Sequence, residues 1–282
     1  MDLGLTGKRA LVAGGSRGLG RAIALELANE GCKVVIASRN ELALQQAATD
    51  IIEKTGGHVE PVVLDVQDPS SIQACVEKAV SLLGGLDILV NAAARTGGHS
   101  EQADTYASGS ETGMVADFTE KVVGSLRLVR AAEPHFRAAG GGRIILLSGG
   151  AGRVRGGFLS AGVRNRSINQ LAVTLANALG RYNIGCVSVA PGVAVTERQL
   201  SAHQNAAEAL GIPLERYLDE RAENTTLMKR LVFASDLAKS VCFLCSPVSW
   251  TINATVVELA GGSSPDIHYE LEPHPPTRPA TT

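Results

Sequence analysis

The sequence lacks the features that would place the protein in a membrane or on nucleic acid. None of its apolar runs approaches the ~20 residues that a helix needs to span a bilayer. Its 26 basic and 28 acidic side chains nearly balance, giving a formal net charge of −2 without a basic patch. Residues 1–8 lack the charged and apolar regions of a signal peptide. We therefore expect a cytoplasmic protein that binds neither membranes nor nucleic acid.

Cysteine is scarce and shows no disulfide framework. The five cysteines are odd in number and scattered along the 282 residues. Cys242 and Cys245 form one Cys-x-x-Cys, but this pair lies in an apolar segment of helical period, without a second pair to complete a zinc site. We predict no metal site, and this cysteine usage fits a reducing compartment.

A strand–turn–helix–strand unit is present between Arg9 and Arg39. A short apolar run precedes the turn Gly-Gly-Ser-Arg-Gly-Leu-Gly of residues 14–20, and an amphipathic segment and a β-branched run follow it. Gly14 lets the chain turn off the strand, and the later glycines let the backbone approach a pyrophosphate. The helix N-terminus offers free N–H groups to the same phosphates. The predicted pyrophosphate-binding residues are Gly14, Ser16, Arg17, Gly18, Leu19 and Gly20.

The end of the second strand predicts which dinucleotide binds. A carboxylate there would hold the ribose hydroxyls of NAD and repel a 2′-phosphate. This chain has Ser38 and Arg39 at that place, and Arg17 lies in the glycine-rich turn. Two guanidinium groups and a hydroxyl suit a phosphate dianion. We therefore predict that the cofactor is NADP(H).

Strand and helix patterns alternate along the rest of the chain, which is typical of a parallel sheet covered on both faces. We predict an α/β fold, a doubly wound parallel sheet of the Rossmann type, in one domain over residues 1–267. A proline-rich mobile tail is expected over residues 268–282. The predicted later helices are 41–55, 69–83, 117–139, 167–179 and 234–245; the predicted later strands are 58–64, 86–90, 143–147, 185–189 and 255–259; residues 95–115 are predicted to form a loop.

Five motifs in this order resemble the short-chain dehydrogenase/reductase family, from the glycine-rich turn to about Gly262. Besides the turn they are Asp65-Val66, the segment Asp-Ile-Leu-Val-Asn-Ala-Ala-Ala of residues 87–94, the segment Ala-Pro-Gly-Val-Ala-Val-Thr of residues 190–196, and residues 256–262. The resemblance implies contacts to adenine from the second motif and to the nicotinamide carboxamide from the fourth. The cofactor-binding residues that it implies are Asp65, Val66, Asn91, Ala92, Ala93, Pro191, Gly192, Val193 and Thr196.

The catalytic part of the family pattern is missing. In the family, a tyrosine exchanges the proton on the substrate oxygen, and a lysine four residues later lowers its pKa and holds the ribose. A serine polarises the carbonyl, and an asparagine on the preceding helix completes a proton relay. Residues 148–166 contain neither tyrosine nor lysine, and no Tyr-x-x-x-Lys occurs elsewhere in the chain. Ordinary ketone reduction by the family mechanism is therefore not expected.

Two alignments of this segment are open. The first puts Ser148 at the serine, Ala161 at the tyrosine and Asn165 at the lysine. The second shifts each by one residue, to Gly149, Gly162 and Arg166. On the preceding helix, Lys121 falls where the asparagine belongs.

Lys121 and Ser148 are the predicted catalytic residues. A desolvated lysine near another cation has a lowered pKa and can act as an acid, a base or a Schiff-base nucleophile. Ser148 can donate a hydrogen bond to a developing oxyanion. The loop of residues 95–115 offers His99, Glu101, Asp104 and Tyr106 as further candidates. Four arginines near the missing tyrosine can hold an anionic or carrier-bound substrate or cover helix ends: Arg153, Arg155, Arg164 and Arg166.

Three functions remain open. The first is an NADP(H)-dependent oxidoreductase with a proton donor other than tyrosine, acting on a small organic or carrier-bound substrate. The second is a non-redox enzyme, such as a lyase, dehydratase or aldol-type enzyme acting through Lys121. The third is a family member that binds a cofactor or partner without catalysis.

The two long helices predict self-association. Family members usually pair through helices equivalent to residues 117–139 and 167–179. An exposed apolar stripe on such helices favours burial against a symmetry mate, and we predict a homodimer or homotetramer. The stripe is expected from Val122, Val123, Leu126, Leu128, Val129, Leu171, Val173 and Leu175.

Overall fold

A parallel sheet with helices on both faces forms the framework of the molecule. The structure is a computed structural model, and it describes residues 2–94, 105–152, 159–192 and 194–263. Within these ranges the main sheet has seven strands, in the order β3 (Val59–Val63), β2 (Lys33–Ser38), β1 (Arg9–Ala13), β4 (Ile88–Asn91), β5 (Gly142–Leu147), β6 (Ile184–Pro191) and β9 (Val256–Leu259), and the pairings between neighbours are parallel. The order reverses beside β1, as in doubly wound dinucleotide-binding folds. The predicted fold class is confirmed.

The strands are β1 (Arg9–Ala13), β2 (Lys33–Ser38), β3 (Val59–Val63), β4 (Ile88–Asn91), β5 (Gly142–Leu147), β6 (Ile184–Pro191), β7 (Ala194–Val195), β8 (Val232–Phe233) and β9 (Val256–Leu259). The helices are α1 (Gly18–Asn29), α2 (Glu41–Thr55), α3 (Pro69–Leu83), α4 (Glu111–Phe118), α5 (Gly124–Ala138), α6 (Leu159–Leu179), α7 (Glu197–Leu210), α8 (Leu214–Thr225) and α9 (Ala234–Cys245). A π-helical turn, Thr119–Val123, joins α4 to α5.

The first half of the chain follows its local signals closely. Helices α2 and α3 have the predicted bounds, because each has an acceptor side chain at its start and a left-handed glycine at its end. Asn40 accepts a hydrogen bond from the Ala43 N–H at 2.9 Å, and Asp68 accepts one from the Ser70 N–H at 2.9 Å. Strand β1 also has the predicted bounds.

Five helices differ from the predictions, since the helix predicted over residues 117–139 is divided between α4, the π-helical turn and α5. Helix α4 begins at Glu111, inside the stretch predicted as a loop, because Ser110 caps it by accepting from the Gly113 N–H. Helix α6 begins at Leu159 rather than at residue 167. Helices α7 and α8 were not predicted, since both are polar and each buries a single residue, Ala207 and Ala222. Tertiary packing, rather than local periodicity, sets these boundaries.

Apolar side chains form one cluster on each face of the sheet. One cluster joins α1, α2 and α9 to alternate residues of β1, β2 and β6, including Val12 and Val187. The other joins α3, α5 and α6, including Phe136 of α5, to the intervening strand residues, including Leu11. The alternation of buried residues between the two faces explains why the central strands are continuously hydrophobic.

The helices predicted to mediate self-association are less exposed than expected. Leu128, Val129 and Leu175 are buried, and the other five apolar residues of the predicted stripe are partly buried. The dimer or tetramer therefore stays a prediction. The predicted tail of residues 268–282 lies outside the described residues. Among the described helices, none combines the length and apolar character that crossing a bilayer requires.

Candidate active site

The predicted site residues gather at one edge of the sheet, where the parallel strands have their carboxyl ends. The turns after β1, β2, β4, β5 and β6 all open at this edge, as the strand pairings require. The loop after β3 adds Asp65 and Val66 there. In open α/β sheets, ligands bind at this edge beside the reversal of strand order.

The glycine-rich turn packs too tightly for side chains at its key positions. A Cβ atom on Gly14 would lie 2.7 Å from the carbonyl carbon of Ala92, and one on Gly20 would collide with the carbonyl oxygen of Gly14. Gly14 and Gly18 have positive φ angles of 82° and 57°. Arg17 is exposed beside the turn, and Ser16 and Leu19 are partly buried. The turn therefore presents backbone N–H groups at the N-terminus of α1, as a pyrophosphate site requires.

Ser38 and Arg39 lie where the adenosine ribose is expected. The hydroxyl of Ser38 is buried and has no hydrogen-bond partner among the described residues. The Arg39 side chain is 48% exposed, and its Nη2 lies 3.8 Å from Oε1 of the buried Glu120. A polar atom without a partner beside a half-exposed guanidinium fits an incoming phosphate group.

Local hydrogen bonds hold the predicted residues in the loops after β3 and β4. Oδ1 of Asp65 accepts from the Gln67 N–H at 2.9 Å, and Val66 is buried against Gly124. Oδ1 of Asn91 accepts from the Ala93 N–H at 3.1 Å. The Ala92 N–H donates to the Ala13 carbonyl at 2.8 Å, which fixes this loop to the glycine-rich turn.

The loop after β6 closes the same edge. The Gly192 N–H donates to the Leu259 carbonyl at 3.3 Å, and Pro191 ends the strand. Thr196 caps α7, and its N–H donates to Oε1 of Gln199 at 3.1 Å. A Cβ atom on Gly18 would be 3.7 Å from Cγ2 of Thr196, so this loop reaches the glycine-rich turn. Val193 lies outside the described residues.

The Lys121 side chain is the centre of the catalytic half. Its Nζ donates to the Ser148 carbonyl oxygen at 2.7 Å and to Oδ1 of Asn165 at 2.6 Å. All three residues are buried, although they come from three separate elements. The predicted catalytic pair, Lys121 and Ser148, is thus in direct contact, and Asn165 joins it.

The surroundings of Lys121 lower the pKa of its ammonium group to about 7. Burial is the main cause because desolvation disfavours the charged form, and the nearby Arg164 guanidinium lowers the pKa further. Asp117 opposes both effects. Protonated and neutral Lys121 are therefore both accessible near neutral pH, which suits a general acid or base.

The structure supports the first of the two alignments. Asn165 points inward to Lys121, whereas Arg166 is exposed. A Cβ atom on Gly149 would lie 2.8 Å from Nδ2 of Asn165, so the glycines after β5 make room for that amide. Ala161 lies one helical turn before Asn165, where the first alignment puts it in the position of the tyrosine.

The hydroxyl of Ser148 is turned toward the backbone. Its Oγ donates to the Val189 carbonyl at 3.2 Å. Donation to a substrate oxyanion, the predicted role, therefore requires this long hydrogen bond to break. The carbonyl of Ser148, which the sequence did not single out, is the group that contacts Lys121.

Ser125 is a site residue that the sequence analysis missed. Its Oγ donates to the Lys121 carbonyl at 2.5 Å, and Nδ2 of Asn91 donates to the same Oγ at 2.7 Å. The π-helical turn contains Lys121, and such turns interrupt the regular ladder of helical hydrogen bonds. A hydroxyl residue four positions after Lys121 was the available signal, but only the tertiary contact to Asn91 gives it a role.

Of the other predicted candidates, Arg164 lies beside this cluster, Tyr106 lies apart from it, and the rest are exposed or lie outside the described residues. Tyr106 is 94% exposed, and nothing in its described contacts links it to Lys121. Nη1 of Arg164 lies 3.3 Å from Oδ1 of Asp117 between α6 and α4, which makes it an internal ion pair. The candidates outside the described residues are His99, Glu101, Asp104, Arg153 and Arg155.

The cysteines show no metal-binding arrangement. Cys242 and Cys245 are buried in α9, and burial raises the pKa of both thiols, which keeps them protonated and unreactive. Within the described ranges, no group of three or more potential metal-ligating side chains was found.

The fold and this sheet-edge site define a dinucleotide-binding scaffold, and sequence comparison gives its family. The family model described as enoyl-(acyl carrier protein) reductase matches residues 13–264. The chain belongs to the short-chain dehydrogenase/reductase family.

Relatives are similar over nearly their full length. A tropinone reductase homolog of Arabidopsis thaliana is 32% identical over 260 residues, covering 92% of this chain and 90% of the relative. A 7α-hydroxysteroid dehydrogenase of Clostridium sardiniense is 30% identical over 260 residues, covering 92% and 94%. The crystal structure of L-sorbose reductase from Gluconobacter frateurii, in complex with NADPH and L-sorbose, superposes with a TM-score of 0.84. That chain is 30% identical, and the match covers 93% of this chain and 98% of that one.

Proposed function

We propose that the protein is an NADP(H)-dependent oxidoreductase that reduces a small organic or carrier-bound substrate, with Lys121 as the proton donor. This proposal rests on the hydrogen bonds donated by the Lys121 ammonium group, which has three protons. Two of them have acceptors, the Ser148 carbonyl and Oδ1 of Asn165. Among the described residues no third acceptor is recorded, so one proton is left for a substrate oxygen.

The same geometry suits the product of proton transfer. A neutral lysine amine keeps two N–H groups, enough to retain both existing hydrogen bonds. The site therefore holds Lys121 in one place before and after it gives up its proton, and it loses no buried hydrogen bond. A pKa of about 7 makes the transfer readily reversible at neutral pH.

The residues of the cofactor half fit a nicotinamide dinucleotide phosphate. The crowded glycines would hold the pyrophosphate on backbone N–H groups, and Arg39, Ser38 and Arg17 would hold the 2′-phosphate. When bound, the cofactor supplies or accepts a hydride. The L-sorbose reductase with NADPH, at 30% identity, supports both the cofactor and the direction of reaction.

Lys121 and Asn165 look like an exchanged pair. The family pattern has an amide on the earlier helix and an ammonium group on the later one. Here the ammonium group is on the earlier helix and the amide on the later, and they are 2.6 Å apart. We propose that the site keeps its cation but receives it from the earlier helix instead of the later one. This single exchange accounts for the departures from the family pattern at both Lys121 and Asn165.

The tests are cofactor binding and turnover. We expect NADPH to bind more tightly than NADH in a fluorescence titration, and NADPH to be consumed with at least one member of a panel of ketones, activated alkenes and carrier-bound thioesters. Equal affinity for the two dinucleotides would contradict the cofactor assignment. Binding of NADPH without turnover of any carbonyl or alkene would contradict the reductase assignment.

A non-redox function is the second candidate, because a buried amine with a pKa of about 7 can also be a nucleophile. The Lys121 amine would attack a substrate carbonyl carbon and release water to form an iminium ion. Trapping with borohydride would then attach the substrate to Lys121. Turnover without change in nicotinamide absorbance would select this function.

A further inference from the structure

A second cleft lies at the opposite edge of the sheet from the candidate active site. It has a volume of about 500 Å³ and opens at the amino ends of β4, β5 and β6, where Ile88, Arg143 and Ile184 line it. The residues between α9 and β9 form another wall. This volume is sufficient for a small organic ligand. Neither the fold nor the proposed function explains the cleft.

Arg143 brings an unbalanced positive charge to this cleft. The residue is 8% exposed, and its Nε and Nη2 donate to the carbonyls of Leu244 and Ile252, both at 2.6 Å. No carboxylate within 4.0 Å pairs with it in the described part of the chain. Burial lowers the pKa of Arg143, which reflects the cost of holding this charge away from water. The two carbonyls supply partial charges only, so an anion would stabilise this group further.

Two further side-chain donors in the cleft, the Ser246 hydroxyl and the Asn253 amide nitrogen, have no protein partner among the described residues. Ser246 is 2% exposed, and its buried hydroxyl has no hydrogen-bond partner in the described ranges. Lys8 adds a second positive charge to the cleft, and it interacts electrostatically with Asp87, whose carboxylate is also bound by Arg9. The Asn253 amide uses its oxygen to accept from the Cys186 N–H at 2.9 Å, which leaves its N–H groups available.

Several acceptors along the same walls are already engaged. Both carboxylate oxygens of Asp87 accept from Arg9, at 2.7 Å and 2.9 Å. The carbonyl of Gly140 accepts from Nδ2 of Asn183 at 3.1 Å. Available donors beside a buried guanidinium that lacks a carboxylate favour an anion over a cation.

An apolar surface adjoins these donors. Trp250 lines the cleft and is 75% exposed, and Val248 nearby is also exposed. Large exposed apolar groups of this kind commonly mark binding sites. We infer that the cleft binds a small organic oxyanion, with its charged group on Arg143, Ser246 and Lys8 and its apolar part beside Trp250.

The sequence provides its own reporter for this site, because Trp250 is the single tryptophan. The full chain is titrated with phenyl phosphate and with benzoate while tryptophan fluorescence is recorded at constant ionic strength. We expect saturable quenching by at least one of them, and none by phenol, which has the ring without the charge. The two anions show whether the site takes a phosphate ester or a carboxylate.

Two variants locate the binding. Ser246→Ala removes a hydroxyl that has no partner, and Lys8→Met removes a partly buried cation, so neither should impair folding. Each should weaken binding about tenfold to a hundredfold, because each removes a hydrogen bond to a charged group. Lys78→Met, at an exposed lysine of α3, is the matched control and should bind like the native protein.

Saturating NADP⁺ should leave the titration unchanged, because the two sites lie at opposite edges of the sheet. The inference is overturned if phenol quenches as well as the anions do, if Ser246→Ala and Lys8→Met both bind like native protein, or if NADP⁺ abolishes the signal. If the protein binds the anions but not NADPH, the result supports this inference and contradicts the proposed function.

Discussion

The two halves of the candidate active site are made of different parts of the chain. The cofactor half, which includes Gly14, Asn91 and Gly192, presents mainly backbone groups fixed by glycine turns and strand ends. The catalytic half joins groups from separate elements, since Nζ of Lys121 lies 2.7 Å from the Ser148 carbonyl oxygen and 2.6 Å from Oδ1 of Asn165. The first half follows the family pattern closely, and the second departs from it.

This difference shows which parts of an enzyme can change while the fold stays the same. Backbone N–H groups at a turn depend on glycine at a few positions, and a substitution there would collide with neighbouring backbone. A side-chain cluster tolerates an exchange if charge and hydrogen bonds are preserved as a set. Lys121 and Asn165 meet that condition, because two of the ammonium protons of Lys121 have acceptors, the Ser148 carbonyl and Oδ1 of Asn165.

The largest expected effect comes from placing two ammonium groups in the catalytic half. Asn165→Lys should destabilise the protein by about 3–5 kcal/mol, because it adds an uncompensated buried charge next to Lys121. Combining it with Lys121→Asn should restore most of the lost stability, because the ammonium group and the amide then exchange positions between the two helices. Thermal melting of the native protein, both single variants and the double variant measures the coupling. Purely additive changes would contradict the exchanged-pair proposal.

Removal of the Lys121 side chain should impair turnover and leave cofactor binding intact. Lys121→Ala should lower turnover by about a hundredfold or more, the usual loss for a general acid, while the pyrophosphate turn still binds NADPH. Steady-state kinetics and a fluorescence titration measure the two effects. Lys78→Ala, at an exposed lysine, is the control.

The opposite result has a defined consequence. If Lys121→Ala and Ser148→Ala both retain near-full turnover, the catalytic assignment is wrong. His99 and Tyr106 of the long loop would then be the next residues to test.

The cofactor half should respond to one charge reversal. Arg39→Asp should weaken NADPH binding about tenfold to a hundredfold, because it removes a charge-assisted hydrogen bond and adds repulsion of the 2′-phosphate. NADH binding should be unchanged or tighter. Arg130→Asp makes the same charge change at an exposed position on α5 and should not discriminate between the dinucleotides. An unaltered NADPH preference in Arg39→Asp would exclude Arg39 from the phosphate site.

The smallest expected effect is a shift in pH dependence. Only the ammonium form of Lys121 donates a proton, so the reduction rate should fall as pH rises through about 7, up to tenfold per pH unit. Arg164→Gln removes a neighbouring cation and should move this fall to higher pH. Rate profiles against pH for both proteins test this, and coincident profiles would mean that Arg164 does not influence Lys121.

The sequence by itself determined the fold class and most of the cofactor half. Their signals are local, since β1, α2, α3 and α9 begin and end at the predicted residues and the glycine spacing acts within a single turn. Tertiary structure decided the catalytic half. Lys121 and Asn165 are separated by 44 residues, and their contact depends on the π-helical turn and on an earlier start of α6 than periodicity predicted. Polar helices such as α8 and buried contacts such as that of Ser125 likewise depend on packing, which no local pattern encodes.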